Sequence, residues 1–460
     1  MEFRQVHDSM GTVNIPADAY YGPQTQRAVD NFQISGIRMP RPFLHELARI
    51  KRWAAVVNGE LGLLPSELAA PLVQAAREIE AGRWDDHFPV EVYQTGSGTS
   101  SNMNMNEVLA ARANEILTGT RHGRQPVHPN DHVNQGQSSN DIIPSALHLA
   151  AVAGIRQCLA PALEGLAATL QGKAREFADL PKIGRTHLMD AVPMTLGQEL
   201  GGFARQMVLG KARLDGPLQR LAELPLGGTA VGTGLNAHPV FASLVIAHLA
   251  RETEFPFREA EDHFEAQGAR DTVVETSGVL KTVAVGLGKI ANDLRWLASG
   301  PRCGLGELKL PALQPGSSIM PGKVNPVIPE AVIQVAAQVT GYDTALTLAG
   351  QGGFFQLNTM MPLMAHNLLE SISLLAAAAR ALDTRCVAGL KADARVCRGN
   401  IEKSLALVTA LVPRLGYDRA ATVAKQAYDS GRTIREVVLA ERLLMPSELE
   451  RLLPPLDDAD

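Results

Sequence analysis

The chain has 460 residues, with 43 Lys and Arg against 48 Asp and Glu and a formal net charge of −5. That near balance, without a basic stripe or a block of like charge, argues against a nucleic-acid partner and against a charged disordered tail. Aromatic residues make up only 5%, while Ala and Leu are abundant, a composition that favours helices because both enter them at little cost.

Met1 to Gly11 lacks the basic and apolar regions of a signal peptide. The first 135 residues carry shorter helical patterns, such as 42–61 and 107–117, between loops rich in Pro and Gly. Five long helical segments follow, at 142–177, 195–221, 265–298, 328–348 and 362–382. In the third, Val273, Val279, Leu280, Val283, Leu287, Ile290 and Leu294 recur at three- and four-residue steps, the stripe of a packed core.

The most apolar stretch, 147–170, is interrupted by Arg156, Gln157, Pro161 and Glu164, which reads as a buried helix and not a membrane span. A soluble, cytoplasmic protein is expected. Beyond Ala394 come short helices and an acidic end. The pattern predicts an all-α protein with an N-terminal domain (1–137), a central long-helix domain (138–393) and a small C-terminal helical domain (394–460).

Ala150 to Gly154 and Leu374 to Ala379 are apolar around the whole helix. A helix without a polar face needs cover on every side, which predicts an obligate homo-oligomer sharing a helical bundle. One large monomeric core is the alternative. The four cysteines, Cys158, Cys303, Cys386 and Cys397, are scattered and form no CxxC pair, so they read as free thiols and not as metal ligands.

Four polar segments interrupt this architecture. They are Thr95-Gly96-Ser97-Gly98-Thr99-Ser100-Ser101-Asn102; His128-Pro129-Asn130-Asp131 with Gln137-Ser138-Ser139-Asn140-Asp141; Gly184-Arg185-Thr186-His187; and Gly316 to Pro326, extended to Glu330. The last packs Ser317, Ser318, Lys323 and Asn325 into a Gly- and Pro-rich loop ahead of a helix N-terminus, a place suited to a small anion. Each segment alone also fits a plainer role: helix caps for the Ser, Thr and Asn residues, a hydrogen-bonded structural histidine for His187, a first-turn acid for Glu330. Together they supply hydroxyls, amides, a lysine, an arginine and a histidine, a donor-rich lining for carboxylates. No Walker loop and no GxGxxG dinucleotide loop competes.

With these residues in view, the chain resembles the class II fumarase family of the aspartase/fumarase superfamily. The resemblance runs through Pro16-Ala17-Asp18-Ala19-Tyr20-Tyr21-Gly22-Pro23-Gln24-Thr25-Gln26-Arg27, Ser101 to Val108 and Gly227 to Asn236, and through Gly316 to Asn325, which is similar to the superfamily signature GSSxMPxKxN. Thr186-His187-Leu188, Gly322 and Ser138-Ser139-Asn140-Asp141 follow the fumarase choice where aspartases differ.

The resemblance implies reversible hydration of fumarate to (S)-malate through an aci-carboxylate, without metal or organic cofactor. It implies Ser317 as the base for the C3 proton, with His187 and Glu330 as a pair on the opposite face. Ser97, Gly98, Thr99, Ser138, Ser139, Asn140, Thr186, Ser318, Lys323, Val324 and Asn325 would hold the substrate. His128, Pro129, Asn130 and Asp131 resemble a second carboxylate loop at the entrance, where fumarases often carry an arginine in place of Gln125; here Arg124 lies one step back. The family fold implies a homotetramer around a twenty-helix core, five helices from each chain, with each site built from three chains. The alternatives are an aspartate ammonia-lyase and a catalytically silent relative, since the superfamily includes lens crystallins.

Overall fold

The computed structural model describes residues 2–121 and 124–453. Among them the chain is mainly helical, and strands occur only in two-stranded sheets. The acidic C-terminal end expected from the sequence lies outside the described residues.

The long helices follow the expected segments with instructive differences. The first begins earlier, at Ser139, and runs to Glu176 through one π turn at Ile155–Leu159. Ser138 sets its start by a capping box with Asp141, each side chain accepting the other's backbone N–H. The expected 195–221 is two helices, Leu196–Ala212 and Asp215–Leu221. Pro217 explains the restart, because its ring and missing N–H disrupt a continuous helix through this point. The third divides into His263–Gly268 and Asp271–Leu297, with extended backbone at Ala269 between them. Val327–Gly350 and Met361–Leu382 lie close to expectation.

The chain folds as two compact units, one of Met1–Ala160, Ala212–Thr282 and Ala337–Leu375, the other of Pro161–Lys211, Val283–Ala336 and Ala376–Asp460. In the first, Arg41–Glu60 packs on Ser66–Glu80 and on the helix that starts at Ser139, burying Leu47, Ile50 and Val57 completely. It opens with an unexpected antiparallel hairpin, Phe3–Asp8 against Gly11–Pro16. The helix expected at 107–117 spans Thr99–Thr118. Its polar start looked like a loop in sequence because Ser101, Asn102, Asn104 and Asn106 are all buried and hydrogen-bonded. In the second unit, Leu411, Val423, Ile434, Val437 and Val438 form a core joined by Ile183.

The apolar run Ala150, Ala151 and Val152 is covered by the chain itself. Val327–Gly350 is not covered in this way: Ala331, Ala337, Gly341 and Leu348 are exposed along it. Ser139–Glu176 is long and apolar enough to cross a membrane by length and composition, yet 72% of its apolar window is buried inside the protein. None of the four cysteines is in a disulfide. Burial pushes Cys386 and Cys397 up to about 12, so neither is a thiolate near neutrality.

Candidate active site

In the first unit, two helix N-termini carry the candidate carboxylate binders. Gly98 precedes the Thr99–Thr118 helix with φ 74, and a Cβ there would press on Ile143 of the Ser139 helix at 2.9 Å. Only glycine satisfies both the left-handed backbone and that close approach. Gly96 is equally constrained, since a side chain would overlap the Thr359 carbonyl. Ser97 Oγ and Thr99 Oγ1 are 2.8 Å apart. Ser101 N donates to Gln94 Oε1, while the first N–H groups of the helix have no acceptor within it.

The Ser138-Ser139-Asn140 cap is fixed from below. Ser138 Oγ accepts from Asn140 N, Ser139 Oγ from Asn102 Nδ2 at 3.2 Å, and Asn140 Nδ2 donates to Ala230 O at 2.7 Å. Buried Asp141 accepts from Ser138 N through one oxygen and from Gly227 N and Thr229 N through the other. The Gly-rich loop 227–234 is thereby tied to the cap, though no residue of it stood among the expected site residues. Its glycines were the available signal.

Beneath the cap, Asn134 Oδ1 accepts from Asn102, Asn106 and fully buried Lys51, whose Nζ lies 3.0 Å away. Burial pushes Lys51 down to about 7, with Asp141 opposing. The unfolded chain keeps that proton up to the ordinary lysine range, so Lys51 costs stability while charged. The cost is greatest at and below about pH 7 and fades as pH rises toward 10.5. Lys51→Met is expected to raise the unfolding midpoint at pH 6.5 by an amount equivalent to roughly 1–3 kcal/mol, once the lost hydrogen bond is allowed for. The gain should shrink at pH 9.5, and thermal melts at the two pH values check it.

His128, Pro129, Asn130 and Asp131 form a tight turn. His128 Nδ1 accepts from Asn130 N at 3.3 Å and Asp131 N at 3.2 Å. A nitrogen accepting two N–H groups carries no proton, so its 3.3 Å approach to Asp131 is not an ion pair. Burial, with Arg124 and His132, lowers the His128 pKa, which agrees with a neutral ring. The backbone donors of this turn are therefore spent on His128 and the Asn130 amide donates to Met103 Sδ, leaving the His128 Nε2 face for any anion. Gln125 is exposed beside this turn.

In the second unit, Thr186 and His187 lie on a β-hairpin, Pro181–Thr186 against Met189–Thr195. His187 and Leu188 are its two-residue turn, with φ 56 and 61. Such turns normally take Asn and Gly, so a His-Leu pair is strained and fully presented to solvent. The hairpin is anchored near its tip. Arg185 makes a two-pronged bond to Glu307, which also meets Lys182 at 3.3 Å and Asn400 Nδ2 at 3.1 Å. Burial raises the Glu307 pKa, but Arg185 and Lys182 outweigh it and hold the carboxyl below its ordinary value.

The 316–326 loop closes on itself. Gly316 N donates to Lys323 O and Asn325 Nδ2 to Gly316 O, both at 2.7 Å. A Cβ on Gly316 would meet Lys323 O at 2.7 Å, and Gly322 turns the chain at φ 80. Ser317 Oγ accepts from Ile319 N at 3.2 Å and Met320 N at 2.9 Å. Two N–H dipoles aimed at one hydroxyl oxygen favour negative charge on it. Ser318, Lys323 and Val324 are exposed around this centre, and Glu330 stands in the first turn of Val327–Gly350. Asn325 braces the loop, its amide N–H engaged with Gly316. No hydrogen bond or ion pair joins His187 to Glu330 within the chain. Among the described residues, no cluster of His, Cys, Asp and Glu could hold a metal ion.

Comparison with known proteins bears on this geometry. A lyase family model matches residues 11–341, and a model of the fumarase C C-terminus matches 407–457. Fumarate hydratase class II of Nitrosomonas europaea is 55% identical over 438 residues, 95% of each chain. That of Neisseria meningitidis is 50% identical over 99% of each. Among solved structures, class II fumarase from Schistosoma mansoni superposes with a TM-score of 0.95 at 39% identity, covering 99% of this chain and 98% of the other. A fumarate lyase:delta crystallin from Brucella melitensis bound to cobalt gives 0.94 at 47%, covering 99% of each.

Proposed function

The chain belongs to the class II fumarate hydratase family, and from that premise we propose that it is a hydro-lyase interconverting fumarate and (S)-malate, using only its own side chains and backbone. The observation that most supports this is the Ser317 hydroxyl held by two backbone N–H groups in a loop closed at Gly316. A serine is a poor base at its ordinary pKa, and stabilising its alkoxide is what the reaction demands of it.

In the malate-to-fumarate direction, Ser317 acts as the alkoxide, takes the C3 proton to become a hydroxyl, and releases that proton to water before the next turnover. The electron pair moves into the adjacent carboxylate, giving an aci-carboxylate with two negative charges at one end. Lys323 and the N-terminus of Val327–Gly350 offset that charge. Collapse of the intermediate expels the C2 hydroxyl, which leaves as water with a proton from His187, whose ring Glu330 orients. Ser97, Gly98, Thr99, Ser138, Ser139, Asn140 and Thr186 hold the carboxylates, with Ser318, Val324 and Asn325 shaping the loop. His128 to Asp131 form the entrance turn.

We further propose a homotetramer with each site drawn from three chains, in the cytoplasm. The exposed Ala331, Ala337, Gly341 and Leu348 of Val327–Gly350, and a His187 and Glu330 that do not meet within the chain, fit sites completed by neighbouring chains. A native mass of four 49.2 kDa chains is expected, and an active monomer would refute the shared site. Functionally, the chain divides in this reading into an N-terminal domain (1–137), a central long-helix domain (138–393) and a small C-terminal domain (394–460).

The reaction is tested by adding malate to purified protein and following fumarate absorbance. A rise is expected, with no ammonia from aspartate. Ammonia release without a malate response would make the protein an ammonia-lyase, and neither response would make it a silent relative.

A further inference from the structure

A cavity of about 470 Å³ lies in the first unit. Its walls are the strand Phe3–Asp8, the Tyr20–Pro23 segment and the middle of the Thr99–Thr118 helix. Arg4, Arg121 and Arg124 all line it. Arg4 Nη2 donates to Ala19 O at 3.0 Å, while its buried Nε has no partner among the described residues. Arg121 donates to Ala17 O, and its guanidinium sits 5.1 Å from the Tyr20 ring centroid. Burial and then the Arg121 charge both lower the Arg4 pKa, so the two cations are close enough to repel.

One carboxylate, Glu107, lines the cavity with them and offsets part of the Arg4 charge. Asp8 takes both prongs of Arg27, at 2.8 and 2.9 Å. Glu107 accepts from Gly22 N, Gln24 N, Thr25 N and Thr25 Oγ1. Three guanidiniums against the one Glu107 carboxylate leave the lining with an excess of positive charge in a partly buried setting, where it is costly without a further counter-charge.

We propose that this cavity is a binding site for a small polyanion carrying two or more phosphate or carboxylate groups, gripped by Arg4, Arg121 and Arg124 against the Tyr20 ring. Planar guanidinium forks match the oxygen pairs of such groups. At about 30 Å³ per water the space holds on the order of fifteen waters, too many for one phosphate to displace usefully. Pockets of this size suit metabolite-sized ligands.

The site is separate from the candidate active site. Glu107 lies about 12 Å along the helix from Thr99 at 1.5 Å per residue. Of the His128 to Asp131 turn, only Pro129 lines the cavity. The proposal therefore stands independently of the hydratase reading.

The test is calorimetric titration of the assembled protein with pyrophosphate, and in a second arm with citrate, under a saturating fumarate–malate mixture that occupies any site for those acids. Saturable binding of at least one probe is expected, the tighter probe identifying the preferred anionic group. Arg4→Gln and Arg124→Gln should each weaken it tenfold or more, and His128→Ala should leave it unchanged. No binding of either probe at millimolar concentration, unchanged affinity in both arginine variants, or equal loss in His128→Ala would each overturn the proposal. If Arg4→Gln fails to fold, Arg124→Gln decides alone: its side chain is half-exposed, makes no ion pair with a described residue, and should leave the circular dichroism unaltered.

Discussion

Ser317→Ala is expected to lower kcat for malate dehydration by about 10²–10⁴-fold while leaving KM within a few-fold, the signature of a group that acts mainly in the transition state. The fold should be untouched. The substitution frees the N–H groups of Ile319 and Met320, which are exposed and can turn to water. Steady-state kinetics checks the prediction, and a loss smaller than tenfold would move the base elsewhere. Ser318→Ala offers a contrast on the neighbouring residue. Ser318 has no comparable pair of N–H donors, so its loss should weaken substrate binding more than turnover.

The largest effect on stability is expected at Asp141. Asp141→Ala removes a fully buried acceptor from three backbone N–H groups, those of Ser138, Gly227 and Thr229. Each orphaned donor costs about 1–3 kcal/mol, so the three sum to about 3–9 kcal/mol, and a loss in the lower half of that range is expected because the exposed end of the 227–234 loop can relax, together with loss of the capping box. Activity should fall as well, because the cap carrying Ser138 to Asn140 and the Gly227–Gly234 loop would lose their common anchor. Asp141→Asn keeps the shape but turns an amide toward backbone donors, so it should recover only part of the loss. Thermal inactivation midpoints of the two variants, with kcat/KM at a permissive temperature, would show it. An alanine variant as stable as wild type would mean that the donors find other acceptors.

Much of this molecule is legible in its sequence, and the exceptions have physical causes. The helices Val327–Gly350 and Met361–Leu382 follow from uninterrupted apolar periodicity. The Thr99 helix start does not, because its polar residues serve a buried hydrogen-bond network whose partners, Gln94, Asn134 and Ser139, are not local in pattern. The hairpin carrying His187 was hidden for a different reason. Its strands contain Pro181, Gly184 and Pro193, which obscure two-residue alternation, and its anchor, Glu307, comes from far along the chain.

The candidate residues could be named through the motif at 316–325 and the His187 triplet. Their internal wiring could not. Asn325 was expected to hold substrate, and its amide N–H braces the loop; His128 to Asp131 were expected to form a carboxylate loop, and the His128 ring takes the Asn130 and Asp131 N–H groups. Such competition between self-satisfaction and ligand binding depends on distances of a few tenths of an ångström, which residue types alone do not convey.

The two N–H groups on Ser317 carry a directional consequence. A hydroxyl oxygen has four tetrahedral positions; one is its carbon and two are here filled by Ile319 and Met320. The fourth alone remains for the O–H. When that proton departs, the new lone pair emerges along the same line. The direction of that lone pair is thus set by the backbone of a closed loop and not by a freely turning rotamer, so the base we propose at Ser317 is aimed before any substrate arrives.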